Sequence, residues 1–429
     1  MSYTDFLAAK LAQRWQHGPD IDPSLLHPIL HPWQRDVVVW AARTGRAAVF
    51  ADCGLGKTFV QLEWARTVAD RTLILAPLSV ARQTVREAKT LGIDVTYVRS
   101  ADELPASGIA ITNYEMALTV GAEWCEAVVL DESSILKNVD GKTRRRLTDL
   151  YADIPYRLAC SATPAPNDVA ELTNHAEFLG LMPRNEMLAA YFVHDQDGWR
   201  IKGHASGPMY EWMATWAVAL RKPSDLGYDD ADYALPAMRV VPEVVEVEVV
   251  PDGQLFATEL GGVGGRAQVR RETLGARVAR TVQIATEHDE PVIVWCGLND
   301  EADAVAKAID GAVNVKGSDS PESKAQALEA FQDGAIRVLV TKPSIAGFGM
   351  NFQHCARQVF CGIGDSYEAY YQAIRRSWRY GQARDVYAHV VVSELEQQIV
   401  ANVRRKERDA DRMTDQLVRA VARRMEATA

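Results

Sequence analysis

The sequence predicts an α/β fold built on parallel sheets. Three observations carry that expectation. Apolar runs of strand length alternate with helix-length stretches from about residue 30, the runs fall into two series, and one run opens into a glycine-rich, lysine-containing loop. The first series is RAAVFA (46–51), TLILAP (72–77), GIAITN (108–113), EAVVLD (126–131) and RLACSAT (157–163). The second is PVIVWC (291–296), IRVLVT (336–341), RQVFCG (357–362) and VYAHVVV (386–392). Between them, 175–240 reads as mixed helix and loop, with Trp199, Trp212 and Trp216 read as packing residues. PEVVEVEVVP (242–251) alternates like a strand, GGVGG (261–265) reads as a loop, and the charged stretch from about 395 to 429 reads as helix.

A chain of 429 residues, 48% of them hydrophobic, has material for two or three ordinary cores. No apolar run is long enough to span a membrane and no secretory signal pattern opens the chain, so a cytoplasmic protein is expected. The six cysteines are scattered without a C-x-x-C pair, and several lie in apolar runs, which points to reduced thiols rather than disulfides or zinc. The lone histidines show no metal spacing. A net charge of −10 removes any general attraction to polyanions, so contact with nucleic acid must come from local patches.

The loop is ADCGLGKT, residues 51–58, between a strand-like run and the helical pattern TFVQLEWARTVA. That is where a phosphate loop sits: backbone N–H groups and the helix N-terminus face the phosphates, Lys57 neutralises their charge, and the Thr58 hydroxyl ligates magnesium. The common pattern begins with glycine and this one with Ala51. An alanine fits if that position needs no positive φ, with Gly54 and Gly56 forming the tight part. A glycine-lysine-threonine turn can arise by chance, and an acidic pair after a strand is usually just solvated. Both in one sheet are a different matter. VVLDE places Asp131 to hold magnesium and Glu132 to orient and deprotonate water, so ATP or GTP binding is expected.

Further stretches, in order, resemble the superfamily-2 helicases, especially their SWI/SNF-type DNA translocase branch, whose members carry an alanine-led loop. LHPWQRD is similar to the segment in which a glutamine reads adenine, here Gln34. ITNYEM (111–116) and DESSILKN (131–138) resemble later motifs, the second with Lys137 and Asn138 in the expected places. SATPAPND (161–168) resembles the block that couples hydrolysis to motion through Ser161 and Thr163. VTKPSIAGFGMNFQ (340–353) resembles the glycine-rich motif, with Gly347 and Gly349 touching nucleotide. YQAIRRSWRYGQ (371–382) resembles the branch's last motif, matching at Gln372, Ala373, Arg376, Arg379, Gly381 and Gln382. Arg375 stands where the family has aspartate, and GDSYEAY replaces the usual tryptophan-asparagine-proline step.

The resemblance implies two RecA-like lobes with ATP between them. Arg376 and Arg379 would act on nucleotide held by the first lobe, a contribution of about 10³–10⁵ in related NTPases. It implies ATP and magnesium as cofactors and duplex DNA as partner, touched by Thr112, Lys137, Ser344 and Asn351 through its backbone. The basic clusters Lys142–Arg146 and Arg266–Arg280 are further candidates for the track. The expected division is an N-terminal helical segment (1–29), lobe 1 (30–235, with a helical insertion at about 175–235), lobe 2 (236–400) and a C-terminal helix (401–429). The compact form resembles stand-alone bacterial or phage versions, expected as a monomer with an unidentified recruiting protein. An RNA helicase of the same superfamily is the alternative enzyme, against which the Q-A…G-Q motif argues. A non-catalytic clamp is the alternative outside enzymes, against which the intact Lys57, Asp131, Glu132, Arg376 and Arg379 argue.

Overall fold

The computed structural model describes residues 18–427 except 138–140, 197, 231–232, 247–269, 347–350 and 365. The GGVGG loop, part of the 242–251 segment and most of the N-terminal segment lie outside the described residues. Two compact units are formed: residues up to Tyr233 with those from Arg408 onward, and Ala234–Glu407.

The first unit holds β1 (Arg46–Ala51), β2 (Arg71–Ala76), β3 (Val95–Tyr97), β4 (Gly108–Asn113), β5 (Ala127–Asp131), β6 (Tyr156–Ser161) and β9 (Ala217–Leu220), with the hairpin β7 (Phe192–Asp195) and β8 (Gly198–Ile201). Its helices are α1 (Pro32–Thr44), α2 (Lys57–Val68), α3 (Leu78–Thr90), α4 (Ala117–Val120), α5 (Lys142–Leu150), α6 (Leu172–Phe178), α7 (Arg184–Tyr191) and α8 (Ser206–Met213). Among the described residues, seven strands run parallel in the order β3-β4-β2-β5-β6-β1-β9. Continuous apolar runs such as AVFA and LILA fit strands buried on both faces under crossover helices. β9 is a correction to the helix-and-loop reading of 175–240. Ala217–Leu220 is four small apolar residues, too short to show a period, and it pairs with β1. Trp212 and Trp216 pack in the core, as expected of them.

The second unit holds β10 (Met238–Val245), β11 (Val292–Cys296), β12 (Val313–Asn314), β13 (Val338–Thr341), β14 (Arg357–Cys361) and β15 (Val386–Ser393). Its helices are α9 (Leu274–Thr286), α10 (Asn299–Ala308), α11 (Pro321–Gln332), α12 (Pro343–Ala346), α13 (Tyr367–Ile374) and α14 (Gln397–Glu426). The strands are again parallel, ordered β10-β15-β14-β11-β13-β12. The expectation of two parallel-sheet α/β bodies is met. α14 runs on beyond this unit, and its Met413, Leu417, Ala420 and Val421 belong to the core of the first. The described cysteines are all free. No described helix is long and apolar enough to cross a membrane.

An ionic knot anchors the second unit. Arg277, with no exposed surface, donates to Glu301 (2.7 Å), the Cys361 carbonyl (3.2 Å) and the Arg270 carbonyl (2.7 Å), and lies 3.6 Å from Glu396. Removing one partner from a buried set strands the others. Arg277→Leu should therefore cost about 3 kcal/mol, because Glu301 and Glu396 stay buried with Arg270 as their one remaining cation in the knot. Arg280→Leu, breaking a partly exposed pair with Glu243, should cost under about 1 kcal/mol. Denaturant unfolding followed through buried Trp295 separates them; equal small losses would show that the knot does not hold this unit.

Candidate nucleotide-binding site

The order β5-β6-β1 places three carboxyl-terminal strand ends side by side, with Phe50 opposite Ser161 and Asp131 opposite Cys160. Ligands of open parallel sheets collect at such ends. Ala51 completes β1 opposite Leu220 and has no positive φ, which explains why alanine is accepted there. The tight turn belongs to Gly54 (φ 88°) and Gly56 (φ 67°). Gly56 is required twice, since a Cβ there would also collide with the Gln34 amide. Lys57 opens α2, and its ammonium donates to the carbonyls of Ala51 (2.7 Å) and Asp52 (3.1 Å), so it lies over the loop. Thr58 follows in the same helical turn.

Asp131 ends β5, and its Oδ1 accepts from Gln61 Nε2 at 2.9 Å. Its Oδ2 is buried with no hydrogen-bond partner among the described residues. Burial pushes this carboxyl up to about 6; the Gln61 bond and Lys57 pull it down, and Glu132 pushes it further up. Glu132 is the one non-glycine residue among those described with a left-handed φ, 66°. Its Oε1 accepts from Ser161 Oγ at 2.7 Å and Ser134 Oγ at 3.1 Å. Ser161 Oγ in turn accepts the Thr163 N–H at 2.9 Å, and Tyr114 donates to the Asp131 carbonyl at 2.6 Å.

In the second unit Arg376 is buried, donating to the Gln372 carbonyl (3.1 Å) and Gln372 Oε1 (2.8 Å). Gln382 donates to the carbonyls of Gln353 (2.8 Å) and Ser377 (3.2 Å), while Phe352 N–H donates to the Arg376 carbonyl at 2.8 Å. This ties the 375–382 turn to Phe352 and Gln353, the last two residues of the glycine-rich stretch. Gly381 supplies a φ of 87° there. Arg375 lies over the rings of Tyr371 (5.0 Å) and Trp378 (4.2 Å), so aromatic faces hold the cation at the position where the resembled motif has aspartate. Arg379 is half-buried.

Residues 276–381 match the helicase conserved C-terminal domain family. A Caenorhabditis elegans protein, "SWI/SNF-related matrix-associated actin-dependent regulator of chromatin subfamily A-like protein 1 homolog", is 32% identical over 169 residues, covering 35% of this chain and 24% of the relative. Over these stretches the chain is similar to a helicase C-terminal domain and to a SWI/SNF-related protein. It spans about a quarter of that relative's length. A solved structure titled "Sulfolobus solfataricus SWI2/SNF2 ATPase core in complex with dsDNA" is 18% identical, covers 94% of this chain and 96% of its own, and superposes loosely, with a TM-score of 0.46.

Several residues expected from the SWI/SNF-type motifs are placed otherwise. Gln34 is almost fully buried, and both ends of its amide are used: Oε1 accepts the His31 N–H (2.9 Å) and Nε2 donates to the Leu55 carbonyl (3.0 Å). It braces the loop, and reading adenine would break both bonds. Gln372, expected at the nucleotide, is buried against Arg376. Thr112, expected at nucleic acid, has no exposed surface, because it lies within β4 opposite Leu75 of β2. Arg270 and Arg277 of the second basic cluster belong to the ionic knot, and Arg144 of the first pairs with Glu177. Ser344 and the basic Lys142, Arg145 and Arg146 are exposed; Lys137 and Asn351 are half-buried, with Asn351 Oδ1 accepting the Gln353 N–H at 3.3 Å. Asn138, Arg266, Gly347 and Gly349 lie outside the described residues.

Sequence reasoning missed Gln61, Ser134 and His175. Gln61 was within reach, one helical turn after Lys57 and so on the same face of α2. The donor set fits magnesium: a buried carboxylate oxygen lacking a partner among the described residues and a hydroxyl in the first turn of α2, both hard oxygen donors.

The raised carboxyl makes a prediction with a definite sign. Once ionised, Asp131 costs folding energy, and Asn does not. The cost is absent below the ordinary carboxyl range, grows as pH rises through it, and is complete above about 6. Asp131→Asn should therefore melt with wild type at about pH 3.5 and several degrees above it at about pH 7.5, without nucleotide. A variant melting below wild type at the higher pH would contradict this account of the site.

Proposed function

We propose that the chain is an ATP hydrolase that couples turnover to movement along duplex DNA. The observation carrying the ATPase reading is the Glu132 carboxylate held by Ser161 and Ser134 beside the buried Asp131, on the strand ends next to the phosphate loop. In this reading the loop N–H groups and Lys57 bind the phosphates, and Thr58 and Asp131 hold magnesium. Magnesium, when bound, supplies neutralising charge to the β- and γ-phosphate oxygens. Glu132 orients the attacking water and accepts its proton. The Ser161 bond links that carboxylate to β6 and the Thr163 turn, a route by which the γ-phosphate state would reach the rest of the unit.

Arg379 is the better candidate for stabilising transition-state charge from the second, RecA-like unit, since Arg376 is committed to Gln372. Duplex DNA is supported by the branch's final motif and by the chromatin-regulator name of the worm relative. Arg82, Arg86 and Lys89 are exposed at helical spacing along α3, and with Lys142, Arg145 and Arg146 they give the acidic chain local sites for a phosphate backbone. Ser344 and Asn351 are further backbone contacts in this reading.

ATP turnover measured with no polymer, single-stranded DNA, duplex DNA and RNA tests the assignment. Duplex DNA of any sequence should stimulate most, and the stimulating affinity should fall steeply with salt, by a log–log slope of about −0.9 per neutralised phosphate. Best stimulation by RNA, or dependence on one DNA sequence, would overturn it.

A further inference from the structure

We propose that His175 is a positioning residue for hydrolysis, holding through Ser133 the turn that carries Glu132. This rests on the assignment of Glu132 as the residue that activates water. Ser133 Oγ and His175 Nε2 lie 3.0 Å apart, both with no exposed surface. The next residue along α6 in the other direction makes a second tie: Asn174 Nδ2 donates to the Leu136 carbonyl at 2.8 Å. One helix therefore grips both the first and the fourth residue of the short 3₁₀ turn Ser133–Lys137 that follows Glu132.

That grip has something to hold. Glu132 has a φ of 66°, a left-handed conformation that crowds the Cβ of a non-glycine residue against its own carbonyl, and such strain persists only where neighbours over-determine it. The same turn supplies Ser134, one of the two hydroxyls on the Glu132 carboxylate. The His175 ring also packs edge-on against Phe50, at 5.2 Å between centroids and 83° between planes. Phe50 is the ladder partner of Ser161, the other hydroxyl on Glu132. His175 thus touches the strand leading into the phosphate loop and the turn after the acidic pair.

An apolar residue could fill this core position without the cost of burying an imidazole. Burial pulls the ring's pKa down to about 4, so it is neutral near pH 7. Ser133 Oγ and Nε2 share one hydrogen bond to this neutral ring, and Nδ1 has no hydrogen-bond partner among the described residues. The histidine contributes no charge to the site. It contributes a fixed hydrogen-bond partner for Ser133.

The test compares wild type, His175→Leu, His175→Gln, Ser133→Ala, the Ser133→Ala/His175→Leu pair and Glu132→Gln in the full chain. Steady-state ATP hydrolysis is read with and without duplex DNA, and MgATP affinity by calorimetry. His175→Leu should lower kcat about tenfold with affinity unchanged within about twofold. Gln, whose side-chain amide reaches the Nε2 position, should restore most of kcat. The double variant should be no slower than His175→Leu alone, since both substitutions remove one bond. If Leu prevents folding, Ser133→Ala removes the same bond from the smaller side and should show the same kcat loss. A wild-type kcat in the Leu or Ser133→Ala variant overturns the proposal, as does an equal fall in affinity that Gln does not relieve. If Glu132→Gln is inactive while those variants are not, only the role of His175 falls. If Glu132→Gln keeps its turnover, the assignment of Glu132 falls and this proposal with it.

Discussion

Strand β6 lies between β5 and β1, and the arrangement of the candidate nucleotide site follows from that single placement. In a parallel sheet all carboxyl ends face one edge, so the phosphate loop, the acidic pair and the serine-threonine motif become neighbours though they are far apart in sequence. Ser161 at the end of the middle strand can then reach Glu132 on one side while Phe50 stands opposite it on the other. A different strand order would separate these groups even with every motif intact. The glycines act within this frame: Gly54 and Gly56 let the chain turn, and Ala51 only has to finish a strand.

Polar groups in both units are committed to holding other groups in place. Gln34 braces the loop, Gln61 fixes one oxygen of Asp131, Gln372 holds Arg376, and Gln382 ties two segments of the second unit. Buried polar networks of this kind contribute little net stability but are costly to leave half-made, so they specify one arrangement. Two features stand out among the described residues of the candidate site. Asp131 keeps a buried oxygen without a partner, and Glu132 keeps a strained backbone.

The strands of both sheets were legible because buried parallel strands read as continuous apolar runs, and the phosphate loop because its spacing is tied to a strand–loop–helix context. Val95–Tyr97, Ala217–Leu220 and Val313–Asn314 were not, since two to four residues show no period and their pairing is set by distant strands. Burial was the least legible property. Charge alone suggested Arg270 and Arg277 for a surface, yet carboxylates brought in by α10 and by the chain after β15 bury them. Thr112 and Gln34 occupy their motif positions, but the ladder and the loop carbonyl absorb them. His175 gave no signal at all, because its partner lies 42 positions away.

The central claim is that the strand ends on either side of β6 divide the work, with Lys57 binding phosphate and Glu132 acting only on water. Calorimetric MgATP affinity set beside turnover, for Lys57→Ala and Glu132→Gln, tests it most directly. The account predicts that Lys57→Ala loses binding, while Glu132→Gln binds like wild type and hydrolyses slowly. Equal loss of affinity in the two variants would contradict it.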